Sequence, residues 1–236
     1  MVGPYGVAVP YSAAPGAYSS PRERSVRELE RDTTARNLLD AARNDGGMQL
    51  VRPAVEYLAS YRAALERGWS PNTMDPGAGR VELERAKADP VAFLATQDDP
   101  EGSGEPITLP DGSVVPRLPG YRKWIWDDDF GGVISVRWQP GTAALPPHVL
   151  GHIGYAVVPW KRRRGLATAA LRELLPEIRG LGLPYVDLTT DVDNLASQKV
   201  LTANGGVLVE RFTKPAAYGF DSPALRWRIE LIEQGV

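Results

Sequence analysis

The residues from His152 to Ala167 combine side chains and a spacing that suit the binding of an anion. They read HIGYAVVPWKRRRGLA, an apolar stretch typical of a strand, a turn marked by Pro159, a basic run, and Gly165 where a helix is expected to begin. The first backbone N–H groups of a helix have no partner within it, so a helix that begins beside positive side chains attracts negative charge. We therefore expect an anion site at this junction.

The chemistry of the basic run favours a phosphate. The arginines of Arg162–Arg164 carry charge that does not titrate, Gly165 allows the backbone to approach a ligand closely, and the small side chain of Ala167 keeps the first helical turn open. No G-x-G-x-x-G or G-K-[ST] pattern occurs here, so neither a dinucleotide fold nor a P-loop explains the run. A solvated basic turn is the plain alternative, but the strand before it and the amphipathic helix after it favour a phosphate site.

Composition narrows the class of protein. The chain has 236 residues, 43% of them hydrophobic and 24% charged, which is enough for one well-packed domain with appendages or two small domains. The net charge of −2 argues against nucleic acid as a partner. Cysteine is absent, which excludes disulfides, a cysteine nucleophile and thiolate metal sites.

Neither a metal nor a membrane is expected as a partner. The two histidines, His148 and His152, are too few for a multi-histidine zinc site. No apolar run approaches the roughly 20 residues of a membrane helix, and the N-terminus lacks the basic start and apolar stretch of a secretory signal. We expect a cytoplasmic protein with no bound metal.

The first part of the chain has the composition of an appendage. Residues 1–20 are rich in Gly, Pro, Ala and Ser and show no period, and a charged helix is predicted at about 21–43. We expect residues 1–47 to form an N-terminal extension, partly disordered or loosely docked, and residues 48–236 to form the functional domain.

Hydrophobic periodicity then places the elements that must position the basic run. It predicts a strand at 49–52, helices at 54–67, 80–88 and 90–96, a loop at 98–104, a hairpin at 107–115, and strands at 121–126, 133–138 and 151–158. A helix at 166–179, a strand at 185–190, a helix at about 195–204 capped by Asp193 or Asn194, and strands at 207–213 and 225–231 follow. The helices after the first strand are expected to cover a substrate cleft. The aspartates of Asp127–Asp129 are interpreted as a solvated turn between strands, with a metal site as the weaker alternative.

The block His152–Phe212 contains the basic run and a second motif that begins at Asn194, and it resembles the GNAT superfamily of acetyl-CoA-dependent N-acetyltransferases. The phosphate-loop motif of that family corresponds to Arg162–Ala167, and its second cofactor motif to Asn194–Ser197 leading to Ala203–Gly206. The resemblance implies an α/β (α+β) fold, in which a mixed, mostly antiparallel sheet is flanked by helices and has a V-shaped splay between its two central strands. The order of elements from Gln49 to Ile232 suits this fold.

The resemblance also implies how acetyl-CoA would be held as a cosubstrate. The backbone of Val157 and Val158 would pair with the pantetheine arm like an added strand, and Asn194 would contact that arm or order the following helix. Backbone N–H groups of the loop would hold the pyrophosphate. The cofactor-binding residues expected in this way are Val157, Val158, Arg162, Arg163, Arg164, Gly165, Leu166, Ala167, Thr168, Asn194 and Ser197.

The reaction implied is attack of a neutral amine on the thioester carbonyl, which requires a base to take a proton directly or through water. His152, Asp187 and Asp191 are the candidates at the inner strands. A lone histidine in a strand is more often structural, and Asp191 is also suited to begin the turn before Asn194. The oxyanion would be held by a backbone N–H near Val158.

The general acid departs from the family's pattern. Many members carry a tyrosine on the last helix that protonates the departing thiolate, and Leu201 occupies the corresponding position here. Ser197, close to the expected sulfur, or Tyr155 could replace that tyrosine. Water and the helix dipole could instead assist the thiolate.

The sequence therefore predicts an N-acetyltransferase that forms a ternary complex with acetyl-CoA and a small-molecule or peptide amine, with a homodimer possible. The alternative is a non-catalytic acyl-CoA-binding module, which the leucine at position 201 favours. A nucleic-acid binder acting through Lys161–Arg164 is the weakest of the three, since the chain is acidic overall.

Overall fold

The computed structural model describes residues 47–109, 111–215 and 222–231. The predicted helix near 21–43, and all but the last residue of the predicted extension, lie outside the described residues. The strands are β1 (Gln49–Val51), β2 (Asp98–Asp99), β3 (Ile107–Thr108), β4 (Val114–Val115), β5 (Gly120–Asp127), β6 (Asp129–Arg137), β7 (Ile153–Val157), β8 (Tyr185–Asp191), β9 (Val207–Thr213) and β10 (Pro223–Glu230). The helices are α1 (Val55–Glu66), α2 (Ala78–Ala88), α3 (Pro90–Ala95), α4 (Leu166–Arg179) and α5 (Leu195–Thr202), with a 3₁₀ turn at Pro159–Lys161.

The strands form two main sheets, and the boundary between these sheets falls at the centre of the fold. In the first sheet the strand order is β1-β5-β6-β7, with β2 also paired to β5, and in the second sheet it is β8-β10-β9. Strands β3 and β4 form a separate hairpin. All the strand pairs in the described part of the chain are antiparallel. Because β7 and β8 belong to different sheets, the predicted splay and the predicted fold class are confirmed.

Helices cover both faces of the first sheet. On one face, α1–α3 pack an aromatic cluster in which Tyr61 stacks on Trp124 at 4.5 Å between ring centroids and meets Phe130 edge-on at 5.1 Å. On the other face, α4 and α5 pack against β5–β8 and β10 in a largely aliphatic core. The amphipathic pattern of α4, with Ala170, Leu171, Leu174 and Ile178 buried, explains its place there.

The helices α1–α3, which are expected to cover a substrate cleft, pack closely against the first sheet. Tyr61 is fully buried, and Trp69, just after α1, is 6% exposed within the same cluster. A partly buried polar group connects these helices to β5. Glu82 accepts a hydrogen bond from the hydroxyl of Tyr61, and its two carboxylate oxygens lie 3.0 and 2.9 Å from Nη1 of Arg122, which also donates to Gln97 at 3.0 Å. The helices are therefore part of the core.

Two predicted loops are also shorter than expected. Strands β5 and β6 continue almost to each other, so the turn between them is reduced to Asp128, whose φ is +61°. The predicted loop at 98–104 begins with β2, because Asp98 and Asp99 pair with Tyr121 and Gly120 on β5. Polar composition indicated loops at both places, but pairing with a long neighbouring strand extends the sheet there.

Candidate active site

The cleft between the two sheets has a vertex at His152. The N–H of His152 donates to the carbonyl of Asp187 at 2.7 Å, whereas its own carbonyl accepts from Arg137 of β6 at 2.8 Å. The N–H of Asp187 in turn donates to Nδ1 of His152 at 2.9 Å. Gly151 lies against β8, where an added Cβ would come within 2.9 Å of the Asp187 carbonyl oxygen. Beyond this junction the two sheets share no strand pairing among the described residues.

The edge of β7 that faces the cleft presents backbone groups. Antiparallel strands bond through alternate residues, and the N–H of Val158 donates to the Gly131 carbonyl on β6 at 3.0 Å. Val157, one residue earlier, therefore directs its N–H and C=O away from β6. Its carbonyl accepts from Nε of Arg162 at 3.3 Å. Of the two residues expected to pair with a pantetheine arm, Val157 has the required orientation, whereas the N–H of Val158 already has a partner.

The loop after β7 leaves backbone N–H groups open at the start of α4. Arg163 and Gly165 both have left-handed backbone conformations, with φ of +60° and +78°. Gly165 is the residue before the helix, and no side chain caps the first turn, so the N–H groups of Leu166–Thr168 stay unbonded by a cap. An added Cβ at Gly165 would meet nothing within 4 Å. The geometry is that of a nest of N–H groups beside open space, which suits a phosphate.

Part of the basic run serves to anchor this loop. Lys161 is buried and donates to the carbonyls of Asp127 and Asp129 and pairs with the carboxylate of Asp129, while Arg164 pairs with Asp127 at 3.0 Å. The sequence suggested a solvated turn for these aspartates, with a metal site as the weaker alternative. In the structure Asp127 and Asp129 bind two residues of the basic run. Within the described residues, no group of three or more potential metal ligands is found. Arg162 and Arg163 remain exposed at the loop surface.

The second motif lies against the first. Asn194 caps α5, because its Oδ1 accepts from the N–H of Ser197 at 3.1 Å, and Asn204 Nδ2 donates to the Thr168 carbonyl at 3.2 Å. Asn194 thus has the helix-ordering role that was one of its two expected roles. The hydroxyl of Tyr155, on β7, donates to the Ser197 carbonyl at 3.4 Å. Tyr155 and Ser197 are therefore brought together at the first turn of α5.

Leu201 is fully buried in the core that α4 shares with α5. The tyrosine hydroxyl that reaches α5 therefore comes from Tyr155 on strand β7, whereas Leu201 of α5 packs into the core. Burial raises the pKa of Tyr155, so the phenol keeps its proton at neutral pH.

His152 lacks the geometry of a free base. It is 1% exposed, and burial lowers its pKa although the nearby Asp187 carboxylate opposes the shift. Since Nδ1 accepts a backbone N–H, the proton of the neutral ring lies on Nε2. The ring therefore has a structural role, because it joins β8 to the residue before β7 at the vertex of the cleft.

The two aspartates predicted as possible bases are both ion-paired. Asp187 accepts a bidentate pair from Arg228, with Nε to Oδ1 at 2.8 Å and Nη2 to Oδ2 at 2.9 Å. Asp191 is exposed and pairs with Lys214. A carboxylate has about four lone-pair sites, so Asp187 keeps acceptor capacity beyond its arginine.

A cavity of about 220 Å³ lies on the far side of the vertex, and Asp187 is part of its wall. Arg226 and Arg228 of β10 line it as well, and so does Phe212 of β9. Sequence reasoning missed these arginines, although the alternation of Arg226, Trp227 and Arg228 along a strand was a signal that one face of β10 is basic.

Comparisons with known proteins agree with this geometry. Residues 113–207 match the model of the acetyltransferase (GNAT) domain. No curated protein sequence matches the chain. No helix in the described ranges is long and apolar enough to cross a membrane.

Solved structures share the fold at low identity. The microcin C7 self-immunity acetyltransferase MccE, solved with acetyl-CoA and AMP, is 14% identical with a TM-score of 0.51, over 79% of this chain and 93% of its own. The ribosomal L7/L12 alpha-N-protein acetyltransferase RimL, solved with coenzyme A, is 14% identical with a TM-score of 0.51, over 79% of this chain and 95% of its own. A chimera of the spermidine N-acetyltransferase SpeG from Vibrio cholerae and hSSAT is 12% identical with a TM-score of 0.51, over 78% of this chain and 95% of its own. The resemblance that the two motifs indicate is confirmed, because residues 113–207 match the acetyltransferase (GNAT) domain and these solved structures share the fold.

Proposed function

We propose that this domain transfers the acetyl group of acetyl-CoA to a primary amine, by direct attack within a ternary complex. The observation that carries the proposal is the juxtaposition of the open backbone edge at Val157 with the left-handed loop Arg163–Gly165 at the start of α4. An extended pantetheine arm requires backbone partners of that kind, and a pyrophosphate requires unpaired N–H groups. MccE and RimL, solved with acetyl-CoA and coenzyme A, support the choice of cosubstrate.

The residues of the cleft divide the work of binding. Val157 pairs with the amide of the arm, the N–H groups of Leu166–Thr168 take the pyrophosphate, and Arg162 and Arg163 add positive charge at the exposed side of the loop. Lys161 and Arg164 hold the loop in place through Asp127 and Asp129. This division assigns direct contact to two of the three arginines of the run.

Proton transfer in the proposed reaction involves both sides of the vertex. Asp187 is the candidate base that lines a cavity, so it accepts the amine proton through a water molecule. Tyr155, protonated at neutral pH and directed at α5, donates to the departing thiolate. His152 positions both walls and exchanges no proton.

The acceptor is an amine of a small molecule or a peptide. RimL and SpeG are named for a protein N-terminus and for spermidine, so both chemistries occur on this fold, and a net charge of −2 disfavours nucleic acid. We further propose that residues 48–236 act as one domain in the cytoplasm, and that a homodimer is compatible with the fold.

Thiol release tests the proposal. The full chain is mixed with acetyl-CoA and a panel of primary amines, and free coenzyme A is measured with a thiol reagent while acetyl-CoA binding is measured by calorimetry. Amine-dependent thiol release supports acetyl transfer. Binding of acetyl-CoA without turnover of any amine supports the alternative, an acyl-CoA-binding module, which the buried Leu201 favours. Absence of binding contradicts both.

The acid is tested with Tyr155→Phe. Loss of a general acid lowers kcat by about 100-fold, with the affinity for acetyl-CoA unchanged. Tyr121→Phe is the matched control, because Tyr121 lies on β5 and has no role in the proposed reaction. Equal rates for Tyr155→Phe and Tyr121→Phe would remove Tyr155 from the mechanism.

A further inference from the structure

The cavity beyond the vertex shares Asp187 with the junction of the two sheets. It is enclosed by residues 144–150 on one side and by strands β8–β10 on the other. Alternation along β8 turns Val186 and Leu188 toward α4 in the core, so Asp187 between them faces the opposite way, into the cavity. Asp187 also bonds His152 at the vertex through its backbone. The cavity and the cleft therefore share a boundary.

The two arginines that line the cavity have guanidinium N–H groups without hydrogen-bond partners among the described residues. Each carboxylate oxygen of Asp187 accepts one hydrogen bond from Arg228, from Nε and from Nη2, and no described residue accepts a hydrogen bond from Nη1 of Arg228. Arg226 has Nε 3.3 Å from Glu210 Oε2 but outside hydrogen-bond geometry, so this buried donor has no partner among the described residues. Each guanidinium group lies beside one carboxylate, and the N–H donors that remain on both suit an anion.

Apart from Tyr185 of β8, the rest of the lining is apolar. These residues come from the loop before β7, from β9 and from the segment after β9, and they include Leu145, Pro146, Val149, Leu150, Phe212 and Pro215. Arg226 lies over the ring of Phe212 at 4.8 Å from the centroid. A ligand that fits this wall carries an apolar body beside its anionic group.

The geometry points to a pocket that recognises the carboxylate of the acceptor, so that the substrate of this domain is a small amphipathic amine bearing a carboxylate. The inference rests on the proposed function and deepens it by giving a substrate class. A volume of about 220 Å³ is below the roughly 300 Å³ at which pockets for drug-sized ligands begin, so the pocket takes a small molecule or one end of a larger one. Guanidinium forks favour the planar carboxylate over a neutral amide of the same shape.

Three matched amines provide the test: 4-(aminomethyl)benzoate, its neutral analogue 4-(aminomethyl)benzamide, and benzylamine. Their binding to the full chain is measured by calorimetry without acetyl-CoA, so the readout does not depend on turnover. The carboxylate is expected to bind at least about tenfold more tightly than the amide. Arg226→Gln is expected to reduce that preference to near unity, and Arg226→Lys to leave part of it, because a lysine keeps the charge and loses the fork.

Arg211→Gln is the matched control, since Arg211 lies exposed on β9 and does not line the cavity. Thermal unfolding of each variant confirms that it is folded. Equal binding of the three amines to the wild-type chain overturns the inference, and so does a preference that Arg226→Gln leaves intact. If the carboxylate binds as expected but no amine releases thiol from acetyl-CoA, the pocket stands and the proposed acetyl transfer fails.

Discussion

The two walls of the cleft are built on different principles. The wall of β7 belongs to a sheet covered by helices on both faces, and what it presents to the cleft is backbone, at Val157 and in the loop Arg163–Gly165. The wall of β8 belongs to a three-stranded sheet, which presents to the cavity beyond the vertex the side chain of Asp187, paired with Arg228 of β10. At the outer edge of that second sheet, β9 exposes Val207, Leu208 and Val209.

This difference suggests that the β7 wall binds the common cosubstrate, whereas the β8 wall selects the acceptor. Backbone groups recognise an amide or a phosphate whatever the rest of the ligand, which suits a cosubstrate common to many enzymes. Side chains of β8 and β10 can be exchanged without disturbing the strand pairing, which suits the selection of an acceptor. The walls meet at His152 and Asp187, so disturbing the junction affects both.

Stability is the largest expected contrast between the walls. Trp124 of the first sheet is fully buried and stacked on Tyr61, so Trp124→Ala is expected to lower the free energy of unfolding by about 3–5 kcal/mol. Trp227 of the second sheet is half-buried, and Trp227→Ala is expected to cost less, about 2 kcal/mol. Urea unfolding followed by fluorescence measures both. A larger loss for Trp227→Ala would show that the second sheet is the more heavily packed wall.

The backbone wall is tested with a pair of glycines. Gly165 and Gly182 have φ of +78° and +72°, and an added Cβ meets nothing within 4 Å at either. Gly165→Ala and Gly182→Ala should therefore each destabilise the fold by about 1 kcal/mol. Gly165→Ala alone should weaken acetyl-CoA binding, by about tenfold, because its Cβ enters the space beside the unpaired N–H groups.

Calorimetric titration of acetyl-CoA into the two variants gives the comparison directly. Equal affinities would mean that the loop before α4 does not contact the pyrophosphate. Equal losses of affinity would mean that the effect comes from backbone strain in general.

The smallest expected effect is a pH dependence at the vertex. The pKa of His152 is lowered in the folded chain, so the unfolded chain binds more protons than the folded chain as the pH falls from the ordinary value of 6.5 toward that lowered pKa. Stability is thus lost on acidification through this window and is fully present above it. The unfolding temperature of the wild-type chain should fall more between pH 7.5 and pH 5 than that of His152→Asn. Parallel pH profiles would exclude His152 as the cause.

Much of this arrangement could be predicted from the sequence where it is local. The strand at Val207–Thr213 was predicted with its observed bounds, and so was the start of α4 after Gly165. The cap at Asn194 follows from its side chain and the helix after it. Each of these depends on residues within a few positions of one another, for which spacing is direct evidence.

The remaining features depend on pairs that are distant in sequence. Asp187 and Arg228 are 41 residues apart and meet because of the register of β8 with β10. Lys161 reaches Asp127 across 34 residues because β5 and β6 end beside the loop. The periodicity of a single strand does not reveal its register with another strand. The sequence therefore predicted the charged turn at Asp127 and the candidate base Asp187, but not their ionic partners.

Amide hydrogen exchange at β7 tests the central claim most directly, because it reads the backbone wall residue by residue. The N–H of Val158 is bonded to β6 and serves as an internal reference, whereas the N–H of Val157 faces the cleft. Acetyl-CoA is expected to slow exchange at Val157 and in the first turn of α4 while leaving Val158 unchanged. Binding of acetyl-CoA that protects other regions and leaves Val157 as fast as in the free chain would contradict the account.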